Sequence, residues 1–411
     1  MKIVLANNYY YLRGGSERVL FDDQKALLAA GCSVLPFAPR EEQSLPAATS
    51  NYFPLLASYN QAGVVGKIRA VRNLIYAPQV GAQFAALLDS HCPDLIHCHN
   101  IYGRLTTAIL DEARARGIPV VLTVHDFKLV CPSYLALRNN EPCLQCVDGR
   151  YMRCVRWKCH KQSRAASLVY AAEATFNRMY GKYDSVAKFL CPSHFMEETL
   201  RAAGFAAERV LYHPNALDPM SYQPQFEAGD YILYAGRLSR EKGILTLLDA
   251  IEQTGLPLRI AGTGPLLETI AQRIHQRQLP VRLEGFCSAE KLSELYRGSA
   301  FSVVPSAWYE NASMSILESF AYGKPVVASE LGGNTELVCD GQTGKIFSAG
   351  NVAELVVALR LLWNDRVAIS SMGALARQCI EDKFSHAQRT ENLLQIYHAL
   401  LSQRTGCIHL A

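Results

Sequence analysis

Short runs of Val, Ile and Leu, each closed by Gly, Pro, Asn or His and spaced by helix-length segments, recur through the first half of the chain. They fall at Lys2–Ala6, Ser33–Ala38, Leu95–His99, Val120–Val124, Val186–Cys191 and Val210–His213. Runs of this kind mark buried parallel strands joined by crossover helices. Apolar residues at helical spacing predict one such helix over Glu17–Ala30. The rhythm stops at Pro214–Gly229, where Pro214, Pro219, Pro224 and Gly229 interrupt any periodicity, so a linker is predicted over 214–229. It resumes with Tyr231–Ala235, Leu258–Ala261, Val281–Glu284, Phe301–Val304, Pro325–Ala328 and a short Lys345–Phe347. The pattern therefore predicts an α/β domain over 1–213 and a second over 230–384. Leu393, Leu394, Ile396, Tyr397, Leu400 and Leu401 then take helical spacing with no strand after them. A helix in 385–411 that packs back on the N-terminal domain is the expectation.

A length of 411 residues fits two domains. With 49% hydrophobic and 19% charged residues, the chain is core-forming and not disordered. No apolar stretch approaches the ~18 residues of a membrane span, and Asn7-Asn8 interrupts the first apolar run, so neither a span nor a signal peptide is expected. Thirteen cysteines, an odd number without the spacing of a secreted scaffold, agree with a reduced, cytoplasmic setting. Residues 1–213 carry a formal charge of +7 and the remainder −3. Arg150, Arg153, Arg156, Lys158, Lys161 and Arg164 lie in one stretch without an acid, which suits either phosphate and anionic lipid heads or plain solvation. Basic residues are not interleaved with aromatics in a recognised module, so nucleic acid is not expected as a partner.

Two facing doubly wound domains create a cleft at the carboxyl ends of their strands, where ligands bind in such folds. Several constellations fall there. Gly14-Gly15-Ser16-Glu17-Arg18 puts a glycine pair at a helix entrance, a turn that lets backbone N–H groups approach an anion and is equally an ordinary structural turn. Gly262-Thr263-Gly264-Pro265-Leu266-Leu267 lacks the third glycine of a dinucleotide fingerprint and has Pro beside the turn, which counts against NAD. After the first strand of the second domain, Gly236-Arg237-Leu238-Ser239-Arg240-Glu241-Lys242-Gly243 sets two cations where a departing diphosphate gains charge. In Glu310-Asn311-Ala312-Ser313-Met314-Ser315-Ile316-Leu317-Glu318, Asn311 or Ser313 is expected to cap a helix. A helical rise of ~1.5 Å per residue would separate the two carboxylates by about 12 Å. That is too far for a hydrolytic pair and suits two acceptors on one extended ligand. Gly332-Gly333-Asn334 is a further glycine turn. In the front domain Val124-His125-Asp126 ends a buried strand, with His125 able to donate to a hydroxyl or shuttle a proton and Asp126 able to orient it.

In this order, Gly-Gly-x-x-Arg, His-Asp, Gly-Arg-x-x-x-x-Lys-Gly, Gly-x-Gly-Pro, Glu-x7-Glu and Gly-Gly-Asn-x-Glu resemble the family-four retaining nucleotide-sugar glycosyltransferases over nearly the whole chain. The resemblance implies the GT-B fold, two Rossmann-like domains facing across a cleft, the second holding a nucleoside-diphosphate sugar and the first a glycan or lipid-linked acceptor. It implies that Arg237 and Lys242 stabilise the leaving diphosphate, with no metal required for catalysis. Glu310 would hold sugar hydroxyls, Glu318 the ribose, and His125 the donor sugar. Gly15, Gly236, Gly264, Gly333 and Asn334 complete the expected donor site. Two departures stand out: Ala216 where the family has a glycine after Asn215, and Asn311-Ala312-Ser313-Met314 in place of a glycine-containing loop.

A Cys-rich basic insert, 131–164, is unusual. Cys143-x2-Cys146-x7-Cys154-x4-Cys159 has the residue types of a structural zinc site, or else of free thiols in a loop. Beside the basic residues, it suggests docking to an anionic membrane surface at the inner face. A nucleotide-sugar epimerase and a non-catalytic nucleotide-sugar-binding module are the rival readings of the same fold.

Overall fold

A computed structural model describes residues 1–56 and 64–408. The first domain holds β1 (Lys2–Ala6), β2 (Ser33–Phe37), β3 (Leu95–Cys98), β4 (Val120–Thr123), a small hairpin of β5 (Leu137–Arg138) and β6 (Glu141–Pro142), then β7 (Val186–Cys191) and β8 (Val210–Tyr212). All but the hairpin form one parallel sheet in the order β2-β1-β3-β4-β7-β8. The second domain repeats the plan with β9 (Ile232–Ala235), β10 (Leu258–Ala261), β11 (Val281–Gly285), β12 (Phe301–Val304), β13 (Val326–Ser329) and β14 (Gly344–Phe347), ordered β11-β10-β9-β12-β13-β14. Two doubly wound parallel sheets facing across a cleft are the GT-B fold.

Alternation along each strand explains why helices cover both faces. Val4 and Ala6 of β1 point to one side, where Phe84 and Leu87 of helix Pro78–His91 and Ile109 of helix Ala108–Ala115 bury them. Ile3 and Leu5 point to the other, against Leu20 and Leu27 of helix Gly15–Ala29 and Leu393, Tyr397 and Leu400 of the last helix, His386–Ile408. That last helix thus supplies one wall of the front domain's core, and the Tyr397 hydroxyl bonds His97 Nδ1 at 2.7 Å. Residues 409–411 lie outside the described residues.

Between the domains the linker segment is pinned, not loose. Leu217 N–H donates to Phe384 O at 2.9 Å and His386 N–H to Leu217 O at 3.0 Å, so the two crossings of the chain run side by side. Arg389 locks them to the front domain. Its guanidinium pairs both oxygens of Asp23, at 3.0 and 2.8 Å, and donates to Pro214 O at 2.7 Å.

Several strands end one residue earlier than the apolar runs suggested: Phe37, Cys98, Thr123 and Tyr212 are the last ladder residues. The residues left over, Ala38, His99, Val124 and His213, are buried all the same. Hydrophobic runs report burial, and burial continues past the last ladder bond. Strand order reverses between β1 and β3 in one sheet and between β9 and β12 in the other, so the loops leaving these strands face the cleft.

Candidate active site

Lys242 and Glu310 come from loops that leave β9 and β12, one on each side of the switch point. Gly243, at φ +68°, ends the short turn Arg240–Lys242, and a Cβ there would stand 1.7 Å from Pro305 O. Only glycine lets the two loops touch. Lys242 Nζ lies 2.7 Å from Glu310 Oε1, which also accepts from Trp308 Nε1 at 2.9 Å and from the Ser306 hydroxyl. Burial pushes the Glu310 carboxyl up, but the Lys242 ammonium and the three hydrogen bonds outweigh it and hold the group below its ordinary value. All three donors converge on Oε1. Oε2 makes no hydrogen bond among the described residues and is not a buried orphan, so it is open to a ligand. Arg237 is exposed at the same edge and makes no ion pair among the described residues.

Across the cleft, the half-buried His125 and Asp126 leave β4. A cavity of about 190 Å³ connects the two sides, lined by Gly15, His125, Asp126, Trp308, Glu310 and Met314 among others. Gly15 opens helix Gly15–Ala29, and its backbone N–H group is one that a helix start leaves free. Gly236 lines a smaller recess with Lys242 and Glu310. Gly333 supports the site indirectly: its N–H donates to Glu310 O at 2.7 Å, and a Cβ would meet Asn311 O at 2.2 Å.

Several residues do other work than their motifs suggested. His125 is not oriented by Asp126. Its Nε2 bonds His99 Nδ1 at 2.9 Å, whereas Asp126 Oδ1 accepts from Lys128 N–H at 2.9 Å. Asn311 does not cap the helix that follows. Ser313 holds the cap position of helix Met314–Ala321 without a side-chain cap bond, while Asn311 donates to Val124 O at 2.7 Å and accepts from the Ser193 hydroxyl at 2.8 Å. Those two bonds join the domains. Asn334 is fully buried and donates to Ser329 O at 3.1 Å. A Cβ on Gly264 would fall 2.4 Å from Leu238 O, so that glycine packs one loop of the second domain on another. Glu318, half-buried on helix Met314–Ala321, is occupied by Arg18 of the front domain and by the Tyr296 hydroxyl at 3.2 Å. Arg18 also donates to the Tyr222 hydroxyl. Glu336 accepts from the N–H groups of His194 and Phe195, at 2.8 and 2.7 Å, at the start of helix His194–Ala202. Arg18 and Glu336 close two of the motifs that carry the family resemblance, whereas His99 and Ser193 lie outside all of them. For His99 the signal was present, as the second histidine of His97-Cys98-His99 at a strand end.

Neither departure from the family pattern strains the backbone, for Ala216 and Asn311 to Met314 are all absent from the positive-φ residues. In the Cys-rich insert, burial with Cys131, Cys159 and Cys143 nearby pushes the Cys146 thiol up to about 12. Among the described residues, one set of His, Cys, Asp or Glu brings three ligand atoms within 4.8 Å of one another: Asp23, His97 and His99. The four cysteines do not meet that spacing. Arg150 and Arg153 both pair with Asp148, which neutralises part of the basic stretch.

Residues 13–220 match the family model described as Glycosyltransferase Family 4, and residues 222–383 the one described as Glycosyl transferases group 1. The chain is 24% identical over 403 residues to an uncharacterized glycosyltransferase of Methanocaldococcus jannaschii, covering 97% of this chain and 99% of that protein. It is 32% identical over 318 residues to the glycogen synthase of Mycobacterium tuberculosis, covering 75% and 69%. Among solved structures, sucrose-phosphate synthase of Thermosynechococcus elongatus superposes with a TM-score of 0.71 at 19% identity, over 98% of this chain and 99% of that one. HepE of Anabaena, solved in complex with UDP-glucose, gives 0.68 at 19%, over 97% and 100%.

Burial raises the Asp126 carboxyl to about 6, against the pull of Lys128. The folded state therefore binds this proton more tightly than the unfolded chain, where Asp titrates near ~3.9. Its stabilising effect is complete below about pH 4 and is lost as the pH rises through about 6. Asp126→Asn, which keeps the acceptor for Lys128 N–H, should melt roughly 2–8 °C higher than the parent at pH 7.5 and lose that advantage near pH 4. Equal melting differences at both pH values would contradict the assignment.

Proposed function

Because the chain belongs to glycosyltransferase family 4, we propose that it moves a hexosyl group from a nucleoside-diphosphate sugar to a glycan or lipid-linked acceptor with retention at the anomeric carbon. The observation that carries this reading is the Lys242–Glu310 pair at the switch point, with Oε2 of Glu310 free and His125 on the opposite wall. Arg237 and Lys242 neutralise the diphosphate as its bond to the sugar breaks, a charge that a divalent ion often supplies. Glu310, its Oε1 fixed by three donors, accepts from a sugar hydroxyl through Oε2. The acceptor hydroxyl attacks from the face that the diphosphate leaves and passes its proton to that group, so no protein nucleophile is needed. Glu318 accepts from the ribose once Arg18 lets go, which couples donor binding to a change at the domain seam.

Arg237→Ala and Lys242→Ala should each lower kcat by about 10²–10³ and release less nucleoside diphosphate when assayed with GDP-mannose, UDP-glucose, UDP-galactose and UDP-N-acetylhexosamines. The donor that raises the melting temperature of the parent protein identifies the nucleotide and sugar. Full turnover in the double variant would overturn the reading. An isomerised donor with no nucleoside diphosphate released would favour an epimerase, and binding without turnover a non-catalytic module.

The reading includes a cytoplasmic protein that rests peripherally on the inner face of an anionic membrane. It is supported by the exposed Arg156, Lys158, Lys161 and Arg164, which Asp148 does not neutralise. No helix among the described residues is long and apolar enough to cross a membrane. Arg156, Lys158 and Lys161 changed to Glu should pellet less with anionic liposomes, and undiminished pelleting would count against it. A structural zinc on Cys143, Cys146, Cys154 and Cys159 rests on the chemistry of the donor set, since thiolates bind zinc and an ion would draw them together. Purified protein should then carry one zinc per chain and lose it on Cys154→Ser. A metal-free preparation that takes up no added zinc would exclude it.

A further inference from the structure

His125 reaches the cleft from a buried chain of polar groups that leads away from the substrate. Its Nε2 lies 2.9 Å from Nδ1 of His99, a residue with no exposed surface. Among the described residues His99 Nε2 has no hydrogen-bond partner, and it faces Asp23 Oδ2 at 3.8 Å. Asp23 is in turn held by both ends of the Arg389 guanidinium. His97 stands beside them, but Thr123 at 2.8 Å and Tyr397 at 2.7 Å take both its ring nitrogens. With Arg389 seated on Asp23, these three residues do not read as a metal centre.

One proton is shared in the contact between the two imidazoles, so one nitrogen donates and the other accepts. Burial keeps both rings neutral, with His125 lowered to about 3. The carboxylate decides which nitrogen donates. A bare Nε2 on His99 would turn its lone pair toward the negative Asp23, whereas an N–H there points its dipole correctly. With the proton on Nε2, His99 Nδ1 is bare and has to accept, so His125 carries its own proton on Nε2. That leaves His125 Nδ1 without a proton. This atom makes no hydrogen bond among the described residues and is not a buried orphan, so it is open on the cleft side.

The geometry points to His99 as a positioning residue that fixes His125 in the Nε2–H tautomer, so that His125 presents a bare acceptor nitrogen to the substrate. His125 then accepts from a sugar hydroxyl instead of donating to one. A hydroxyl-bearing sugar is favoured at this wall, and a carboxylate, which brings no proton, is disfavoured. This consequence for the sugar rests on the transferase reading of the cleft, while the tautomer itself does not.

Histidine-selective ¹⁵N NMR of the full chain without substrate tests the tautomer directly. The His125 Nδ1 shift should be that of an unprotonated nitrogen and its Nε2 that of a protonated one, and the reverse pattern would overturn the proposal whatever reaction the protein performs. His99→Asn places an amide oxygen close to the lost Nδ1 and should preserve the tautomer and most of the rate. His99→Leu removes the acceptor; it should mix the two tautomers and lower kcat/KM by about tenfold, the scale of one hydrogen bond. Equal rates and equal NMR patterns in the two variants would reduce His99 to packing. Should the Leu variant not fold, the parent spectrum still decides.

Discussion

The cleft depends on keeping one nearly buried carboxylate ionised. Glu310 is 5% exposed, and removing it from water would by itself drive it to the neutral form. Lys242, Ser306 and Trp308 prevent this, and the loops that carry them are bound to one another: Ala307 N–H donates to Glu241 O at 2.9 Å and Gly333 N–H to Glu310 O at 2.7 Å. Gly243 and Gly332, both at positive φ, stand where a Cβ would strike the neighbouring loop. A buried pair of this kind adds little net stability, but losing one partner costs about 3–5 kcal/mol. It is better understood as a device of geometry, since three donors on one oxygen leave the other free and fixed in direction.

The seam between the domains is built differently. Asn311 reaches Val124 and Ser193, Glu336 caps the helix at His194, and Arg18 sits on Glu318. A small aromatic contact, Tyr309 with Phe195 at 4.9 Å between ring centroids, is added to these. Each neutral hydrogen bond contributes about 0.5–1.5 kcal/mol net, and water replaces it when the seam opens. Contacts of that sort specify a closed arrangement without making it permanent, and the residues that form them lie next to those that would touch a nucleotide sugar.

Most of the architecture could be read from the chain because a parallel sheet buried on both faces writes each strand as an unbroken apolar run. Twelve such runs lie where β1 to β4 and β7 to β14 are found, with no end shifted by more than one residue. The β5–β6 hairpin left no such mark, being two residues per strand and only half buried. In the site, Lys242, Glu310 and His125 were legible because each lies on the loop that leaves the carboxyl end of a strand, where ligands bind in such folds. Their partners were not. His99 and Asn311 act through contacts 26 and 187 residues away in sequence, and Asn311 has the residue type of a helix cap, so local chemistry offered a sufficient but incorrect reason for it. At Ala216 and along Asn311 to Met314, where the family carries glycines, φ is not positive, so the backbone there takes no conformation that only glycine adopts easily.

What stays fixed while the seam opens follows from Arg389. Its side chain is 5% exposed, pairs with Asp23 in the front domain, and holds the linker by the carbonyl of Pro214. Beside it the linker and the start of the last helix exchange the two hydrogen bonds of Leu217 with Phe384 and His386. Both crossings of the chain therefore meet at one place, on the side of helix Gly15–Ala29 that carries Asp22 and Asp23, and any separation of the domains has to pivot there. The same Asp23 faces His99, which holds His125. The histidine on the cleft wall is thus anchored to the pivot and not to the moving seam, so its orientation is independent of how far the domains stand apart. On the transferase reading a sugar hydroxyl would meet the same acceptor at any separation of the domains, and closure would have only to bring Lys242 and Glu310 to it.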